Sequence, residues 1–377
     1  MLYQLSNLLN LKFKGINVSI LNPQSMHPLY PLFFQPYLYP VIWGGRKLKP
    51  WKGMVADDEP IGESWEVSAV PSCASIVTNG AFAGRPLDEV VKELPKEILG
   101  ERVAALYEER FPLLVKFIDA ERDLSIQVHP NDEMAMREHG KMGKTEMWYV
   151  IDAKPGAYLY AGFKEEVTSQ EYKRRVADGS ITEVLARHEV KPGDVFYLPA
   201  GRVHAICGGI LLAEIQQSSD VTYRIFDYNR RDRNGKLREL HTELAARALD
   251  FKVEREYRTD YTARKNEVCL IKESPFFTVN MLELDCEMQR ELRGMDSFII
   301  YMCVEGSCSI GVQENGERVR LTAGNSCLIP AAIAHCDIVP DGICRVLETY
   351  IKSEEAPPLN PPEGGRKVGD ELLATSY

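Results

Sequence analysis

Four side chains that can bind a metal ion occur in three separate stretches of the sequence. Gln127 and His129 lie in "LSIQVHP", Glu146 opens the run "EMWYV", and His204 follows the Pro-Ala-Gly turn of "GDVFYLPAGRVHAI". Residues two apart on a strand point to the same side, so Gln127 and His129 share a face. Two imidazoles, one carboxylate and one amide oxygen suit Zn²⁺, with a position left for water or substrate. The sequence therefore predicts one zinc ion per chain, which would polarise a carbonyl and stabilise an enediolate.

Gln127 has two interpretations. A neutral amide is a poor metal ligand, so Gln127 either binds the ion or hydrogen-bonds the substrate. Four other histidines lack such companions, and a lone histidine is more often a hydrogen-bonded structural residue. We expect structural roles for these four, which are His27, His139, His188 and His241.

A second group of charged residues follows in "LLAEIQQSSDVTYRIFDYNRR". Asp220 and Arg224 share a face if one strand runs from the first to the second. A guanidinium beside a polarised carbonyl could stabilise developing negative charge or bind a phosphate, whereas an Asp–Arg pair on a strand is also a common structural feature. Both interpretations stay open, and Glu214, Arg230 and Arg231 are further candidates in this stretch.

Two lysines lie near these candidates. Lys144 stands two residues before Glu146. It is either a general acid or base whose pKa the site lowers, or an ordinary surface lysine. Lys116 interrupts the apolar run "LLVKFIDA". Its ammonium either reaches the edge of the sheet or points into a barrel mouth, where it would meet an anion.

Short apolar or alternating runs bounded by Gly, Pro and Asp make up most of the chain, including "LLVKFIDA", "EMWYVIDAKPGAYLYAG" and "GILLAEIQQSS". This density of strand and turn signals predicts an all-β sandwich or barrel. Three stretches have capping residues or apolar residues at helical spacing, which predicts helical insertions at 85–99, 166–180 and 241–251.

One β unit occurs twice in the chain. Gly193, Pro199, Ala200 and His204 each have a residue of the same type 131 positions later, so that His204 corresponds to His335 (335 − 204 = 131). The preceding strands also correspond, which predicts two related barrels. The second copy has isoleucine and tyrosine where a ligand would be needed, so we expect a metal-free barrel in which His335 is structural.

The composition limits the classes of function. The 377 residues suit roughly two or three compact units, and the net charge of −10 argues against broad nucleic-acid binding. No apolar run is long enough to span a bilayer, and the nine cysteines form no CxxC pair. We expect a cytoplasmic monomer or homodimer with reduced thiols that binds neither nucleic acid nor membrane.

The segment "GDVFYLPAGRVH" resembles the second signature of the cupin fold, whose small jelly-roll barrels usually hold a metal ion. The resemblance implies an all-β-dominated chain with two cupin-like jelly-roll barrels and helical insertions. We expect four parts: an extension at 1–25, a catalytic metal-binding cupin domain at 26–265, a metal-free cupin-like barrel at 266–353, and a Pro/Gly-rich tail at 354–377.

Several motifs together resemble a type I mannose-6-phosphate isomerase of the short bacterial form. They are "YPVIWGGRKL", "GESWEVS", "FPLLVKFIDAERDLSIQVHPND", "GKTEMWYV", "GDVFYLPAGRVHAI" and "SSDVTYRIFDYNR". The resemblance assigns zinc to the four ligands named first, and it assigns active-site roles to Lys144, Asp220 and Arg224. Longer members often carry a histidine just before that lysine. This chain has Gly143 there, which makes Lys144 the stronger base candidate.

The resemblance implies reversible isomerisation of mannose 6-phosphate and fructose 6-phosphate through an enediolate. In this hypothesis Asp220 and Arg224 help the sugar ring to open, and Arg224 with the metal holds the C1 and C2 oxygens. Lys144, or Glu214 as a rival, moves a proton between C2 and C1. The phosphate is held by one or more of the cations Lys116, Arg230 and Arg231.

Two other functions belong to different classes. One is a non-catalytic cupin module that binds sugar, and the other is a metal-dependent cupin oxygenase. Oxygenases usually carry more histidine ligands and bind Fe²⁺, so metal analysis separates them from a zinc isomerase. The segments "WGG" and "GESWEVS" either border the site or serve packing.

Overall fold

The computed structural model describes residues 29–352, except 72, 232–234, 313–315 and 317. The predicted extension at 1–25 and the predicted tail at 354–377 lie outside the described residues. Antiparallel strands dominate the described part and form four sheets, which make up two barrels of two sheets each. No helix in this part is long and apolar enough to cross a membrane.

The strands of the first two hundred and thirty residues are β1 (Leu32–Gln35), β2 (Tyr37–Tyr39), β3 (Glu63–Val67), β4 (Ile76–Val77), β5 (Leu113–Ala120), β6 (Ile126–Val128), β7 (Glu146–Ala153), β8 (Tyr158–Phe163), β9 (Leu185–Glu189), β10 (Val195–Leu198), β11 (His204–Ile206), β12 (Ile210–Gln217) and β13 (Tyr223–Phe226). The later strands are β14 (Val268–Glu273), β15 (Thr278–Leu284), β16 (Met288–Glu291), β17 (Ile299–Glu305), β18 (Ser307–Val312), β19 (Arg318–Thr322), β20 (Ser326–Ile329), β21 (His335–Pro340) and β22 (Cys344–Tyr350).

The two barrels have the same strand order. The first combines β10-β7-β12-β5-β3-β2 with β13-β6-β11-β8-β9, and the second combines β20-β17-β22-β15-β14 with β16-β21-β18-β19. β10 and β20 begin and end 131 residues apart (326 − 195 = 131; 329 − 198 = 131), and His204 and His335 each open the next strand. The predicted repeat and the predicted all-β, two-barrel fold class are confirmed.

The N-terminal strands connect the two barrels. β1 pairs with β20 through Leu32 and Leu328, and β4 pairs with the other side of β1. Both strands therefore extend a sheet of the second barrel, although they precede the first repeat in the sequence. One hydrophobic cluster contains residues of both barrels, and the ring centroids of Phe111 and Phe298 lie 4.8 Å apart. The barrels thus share one packed core.

The helices lie between strands and include all three predicted insertions. They are α1 (Leu48–Trp51), α2 (Leu87–Glu93), α3 (Pro95–Leu99), α4 (Glu101–Leu106), α5 (Asp132–His139), α6 (Ser169–Asp178) and α7 (Thr242–Ala248). The predicted helix at 85–99 is divided into α2 and α3, because Pro95 cannot continue a helix but suits its first position. α5 was not predicted, although Asn131 caps it by accepting a hydrogen bond from the Met134 backbone N–H.

The second barrel contains a buried carboxylate at the position that Glu214 has in the first. Glu348 is fully buried and lies opposite Tyr301 on the neighbouring strand, just as Glu214 lies opposite Trp148 in the first barrel. It accepts two hydrogen bonds from Arg290 at 2.9 Å, one from Asn280 at 2.9 Å and one from Tyr301 at 3.0 Å. The guanidinium thus neutralises the carboxylate inside the barrel.

We expect Arg290→Ala to lower the free energy of unfolding by about 3–5 kcal/mol, because it leaves Glu348 as a buried charge without its cation. Chemical denaturation measures this change. Arg293→Ala removes an exposed arginine nearby and is expected to cost no more than about 0.5 kcal/mol. Equal losses in the two variants would contradict the role assigned to the Arg290–Glu348 pair.

Candidate active site

Two histidines and one glutamate from three strands meet inside the first barrel. His129 follows β6, His204 opens the neighbouring β11, and Glu146 opens β7 in the other sheet. The Nε2 atom of His204 lies 3.2 Å from Glu146 Oε1, and that of His129 lies 3.5 Å from Glu146 Oε2. All three residues are at most 1% exposed. Within the described residues they are the only group of three or more histidine, cysteine or acidic side chains with ligand atoms this close together.

Both imidazoles direct an unprotonated Nε2 towards the carboxylate. His129 Nδ1 donates to the Val221 carbonyl at 2.9 Å, and His204 Nδ1 donates to the Arg202 carbonyl at 2.8 Å. Such bonds fix the tautomer and the ring orientation, as in most metal-bound histidines. Burial lowers the pKa of His129 to about 3 and also lowers the pKa of His204. Both rings are therefore neutral, as metal binding requires.

Glu146 is buried without hydrogen-bond donors for its oxygens. Neither oxygen accepts a hydrogen bond from the described residues, although Lys144 Nζ lies 2.9 Å from Oε2 outside hydrogen-bonding geometry. Burial opposes ionisation, but the Lys144 ammonium holds the pKa of Glu146 well below its usual value. An ionised carboxylate whose oxygens accept no hydrogen bond from the described residues, faced by two imidazole lone pairs, fits a divalent cation.

Gln127 lies beside the same group. Its amide nitrogen is 3.3 Å from His204 Nε2. Rotation of the amide would exchange this nitrogen for the oxygen, which is the atom that binds metals. Gln127 also lines the neighbouring cleft, so it is placed both for metal binding and for contact with a substrate.

A row of five buried or nearly buried charges of alternating sign starts at Glu146. Lys144 Nζ lies 2.9 Å from Glu146 and 4.0 Å from Glu214. Lys116 Nζ lies 3.5 Å from Glu214 and 3.1 Å from Glu63. Three carboxylates and two ammonium groups give this charge row a formal charge of −1, which a bound cation would compensate.

The charge row sets the pKa values of its members. Burial lowers the pKa of Lys144, but Glu146 and Glu214 raise it more, so the pKa of this lysine is raised overall. Burial and Glu146 raise the pKa of Glu214, and the two lysines offset this only in part. A lowered pKa was one of the two interpretations of Lys144 from its place in the sequence, whereas the two carboxylates that face its ammonium keep it charged.

An open cleft lies beside the group formed by His129, Glu146 and His204, and Gln127 and Lys144 belong to its lining. Predicted site residues from several strands and loops share its wall with one residue from each of the segments "WGG" and "GESWEVS" and with one arginine that no sequence motif indicated. Its lining includes Lys116, Gln127, Lys144, Glu214, Asp220 and Arg224, together with Trp43, Glu63 and Arg238.

Arg224 reaches this cleft from β13 with only 6% exposure. Its Nη1 donates to the Glu239 carbonyl at 3.0 Å, and its Nε has no hydrogen-bond partner among the described residues. Asp220 precedes β13 and pairs with Lys141 at 2.7 Å. The structural Asp–Arg pair considered from the sequence is therefore not formed. A buried guanidinium with an unpaired donor is suited to a polar ligand.

Two predicted phosphate ligands are not part of this cleft wall. Arg230 pairs with Asp227 at 2.5 Å and borders a separate surface cleft. Arg231 is exposed, and its Nη1 donates to the Gly235 carbonyl at 2.7 Å. Arg238 pairs with the same Asp227 at 2.6 Å and lines the main cleft. Arg238 lies in a loop without a recognisable motif, so only its place in the structure identifies it.

The segments "WGG" and "GESWEVS" contribute to both the site and packing. Trp43 and Glu63 line the cleft, and the ring of Trp65 lies 4.5 Å from the Lys116 ammonium. Glu66 instead forms a buried ion pair at 2.8 Å with Lys52, whose ammonium also donates to a carbonyl of the second barrel. The alternation of strand β3 separates these two roles.

The matching place in the second barrel has different residues. His335 Nδ1 lies 3.1 Å from Glu291, and Arg293 Nη2 lies 3.3 Å from His335 Nε2. Ile299 has the sheet register that Glu146 has in the first barrel. The second copy thus keeps the histidine but surrounds it with an ion pair and an aliphatic side chain.

Comparison with known proteins relates both barrels to one family. Residues 37–173 match the model for the phosphomannose isomerase type I catalytic domain, and residues 267–350 match that for the mannose-6-phosphate isomerase cupin domain. The probable mannose-6-phosphate isomerase GmuF of Bacillus subtilis is 36% identical over 324 residues, which cover 85% of this chain and 99% of that protein. The mannose-6-phosphate isomerase of Streptococcus mutans is 35% identical over 80% of this chain and 93% of that protein.

Solved structures agree with this result. The mannose 6-phosphate isomerase from Bacillus subtilis has a TM-score of 0.77 and 34% identity, covering 85% of this chain and 99% of that one. A mutant phosphomannose isomerase from Salmonella typhimurium has a TM-score of 0.71 at 18% identity, covering 86% of this chain and 100% of that one, and so shows the common fold alone. The chain belongs to the type I phosphomannose isomerase family.

Proposed function

We propose that this protein is a zinc-dependent aldose–ketose isomerase that interconverts mannose 6-phosphate and fructose 6-phosphate. The observation that carries the proposal is the meeting of His129, Glu146 and His204 beside a cleft that also holds Arg224, whose Nε has no hydrogen-bond partner among the described residues. Relatives named mannose-6-phosphate isomerase match most of the chain, which supports this substrate. The cytoplasmic location and the monomeric or homodimeric state stay predictions from the sequence.

The metal ligands would be Gln127, His129, Glu146 and His204. Two neutral imidazoles with oxygen ligands suit Zn²⁺, and the formal charge of −1 on the charge row favours a cation there. When bound, the ion supplies Lewis-acid polarisation of the sugar carbonyl.

Arg224 and Asp220 act on the sugar from the cleft wall. The unpaired donor of Arg224 binds the oxygens of the two reacting carbons and stabilises the negative charge of the enediolate. Asp220, held by Lys141, accepts the proton of the C1 hydroxyl and delivers it to the ring oxygen as the bond between C1 and that oxygen breaks. Protein contacts hold both side chains: Arg224 bonds to the Glu239 carbonyl, and Asp220 pairs with Lys141.

Glu214 moves the proton between C2 and C1 in this mechanism. Its raised pKa makes it a stronger base than an ordinary glutamate. Lys144 stays cationic because Glu146 and Glu214 raise its pKa against the effect of burial. It therefore stabilises the enediolate oxygens instead of accepting the proton.

Arg238 is the cation best placed to bind the phosphate at the cleft wall. It shares Asp227 with Arg230, so that two guanidinium groups face one carboxylate and an anion is favoured there. Lys116 also lines the cleft, but Glu63 and Glu214 already compensate its charge. In this proposal Arg230 acts through the shared Asp227, and the exposed Arg231 has no contact with the phosphate.

A coupled assay of mannose 6-phosphate conversion, with metal analysis of the purified protein, tests the proposal. We expect turnover with zinc bound, loss of turnover after chelation and recovery when Zn²⁺ is added. Arg224→Ala should retain zinc and lose most of the turnover, because it removes the guanidinium that faces the developing charge.

The same experiment separates the other two functions. A zinc-loaded protein that binds the sugar phosphate without turning it over would be a non-catalytic module. Iron in the purified protein together with oxygen uptake would indicate an oxygenase. Normal turnover in Arg224→Ala would refute the role assigned to Arg224.

The metal assignment predicts a difference between the two repeats. We expect His204→Ala to lose its zinc on dialysis, because it removes one of two imidazole ligands. His335→Ala changes the corresponding residue of the second barrel and is expected to keep one zinc ion per chain. Zinc content by elemental analysis measures both variants, and equal retention would place the metal elsewhere.

The assignment of Glu214 predicts that Glu214→Gln lowers kcat by about 10²- to 10⁴-fold, because an amide cannot accept the proton. The amide oxygen can still accept the Trp148 indole N–H, which lies 2.9 Å from Glu214 Oε2. Stopped-assay kinetics and zinc analysis measure the effect, with the exposed Glu291→Gln as the control. If Glu214→Gln has a nearly unchanged kcat, Glu214 does not carry the proton between C2 and C1.

A further inference from the structure

We propose that His241 is a positioning residue that holds Arg224 in its reactive orientation. The inference rests on the proposed function, in which Arg224 contacts the sugar. His241 lies directly before α7 and was expected from the sequence to have only a structural role. Both the backbone N–H and the ring of His241 form hydrogen bonds with the backbone of Arg224.

The first part of the evidence is the position of Arg224 on an edge strand. β13 is the outermost strand of its sheet, so its outer backbone groups face no neighbouring strand. At Arg224 they bond to His241 instead: the Arg224 N–H donates to His241 Nδ1 at 3.1 Å, and the His241 N–H donates to the Arg224 carbonyl at 2.7 Å. Buried backbone groups without partners are costly, so this one residue completes the edge where Arg224 lies.

The second part of the evidence concerns His241 together with the three residues before it, which we call the return segment (238–241). The Glu239 carbonyl accepts a hydrogen bond from Arg224 Nη1 at 3.0 Å. Arg238 donates to Asp227, the residue that follows β13, through Nε at 2.8 Å and Nη2 at 2.6 Å. The return segment therefore contacts both the backbone and one guanidinium nitrogen of Arg224, while Arg224 Nε stays unpaired.

The third part of the evidence is that the accepting atom must be unprotonated. Burial lowers the pKa of His241, and the Arg224 cation and His139 lower it further. Only the Glu239 carboxylate raises it, and the pKa is lowered overall. The ring of Tyr223 packs beside the His241 ring, with the two centroids 6.2 Å apart. The neutral ring keeps its Nδ1 lone pair for the Arg224 N–H. An asparagine oxygen can take the place of Nδ1, and a leucine side chain cannot.

The test compares His241→Leu with His241→Asn in the zinc-loaded full chain. His335→Leu serves as the matched control, since it changes a histidine of intermediate exposure in the second barrel. The measurements are kcat and KM for mannose 6-phosphate, zinc content, the thermal midpoint, and hydrogen exchange of the peptide that contains Arg224. Hydrogen exchange reports on the hydrogen bond independently of activity.

We expect His241→Leu to exchange the Arg224 amide faster and to lower kcat by about ten- to a hundredfold, the size of effect that a misplaced reactive group produces. Its zinc content should stay at one ion per chain. His241→Asn is expected to keep slow exchange and most of the turnover, and His335→Leu is expected to change neither quantity.

Faster exchange with unchanged kcat in His241→Leu would overturn the positioning role, and so would equal losses of kcat in the leucine and asparagine variants. If His241→Leu does not fold, His241→Asn decides: slow exchange combined with a large loss of kcat would refute the inference. If the unmodified protein does not turn over mannose 6-phosphate, the proposed function has failed, and the exchange data still decide whether His241 holds the strand.

Discussion

The burial of an ionised Glu146 is the constraint on which the rest of the site depends. A carboxylate removed from water is tolerated only where cations or hydrogen-bond donors face it. Lys144 supplies one cation at 2.9 Å, but both oxygens still lack hydrogen bonds within the described residues. The two imidazoles direct lone pairs at the same oxygens because their Nδ1 atoms donate to backbone carbonyls. Lys144 Nζ also lies 3.2 Å from His129 Nε2, and a bound cation among these groups would face the carboxylate and both lone pairs at once.

The same constraint explains the charge row that runs away from Glu146. Lys144 is needed beside Glu146, Glu214 then compensates Lys144, and Lys116 and Glu63 continue the alternation. The carboxylates beside them keep the lysines charged, whereas burial and the like charge of Glu146 raise the pKa of Glu214 more than the two lysines lower it. The position of each charge in the row, more than its residue type, sets which group stays charged and which has a raised pKa.

The second barrel shows another way to bury a carboxylate in the same fold. Glu348 has the sheet position of Glu214, but it receives a two-point guanidinium contact from Arg290 and further bonds from neutral side chains. This group is internally paired and leaves little need for an ion. The two repeats therefore share a backbone and differ in how they balance charge, which suits one for chemistry and the other for structural support.

The groups that we propose to face the substrate are held less directly than the proposed metal ligands. The ligands lie on or beside strands inside the barrel, whereas Arg224 lies on an edge strand that depends on the return segment for its outer bonds. Asp220 and Arg238 lie in loops and are held by Lys141 and Asp227. Ion pairs and backbone contacts made by loops thus complete a cleft whose base is formed by the sheets.

The sequence by itself determined the strands, the repeat and the family, because these depend on local alternation, turn residues and short motifs. It also selected the three residues that meet in the candidate metal site, His129, Glu146 and His204. The helix at 85–99 was placed correctly but not its division at Pro95, and α5 was missed despite its Asn131 cap. Tertiary structure decided the partner of Asp220, the place of Arg238 in the cleft wall and the position of Glu214 beside Lys144. Each depends on residues that are distant in the chain, such as Lys141 and Asp220, which are 79 positions apart. No local pattern encodes such contacts, since they arise only when the strands and loops pack together.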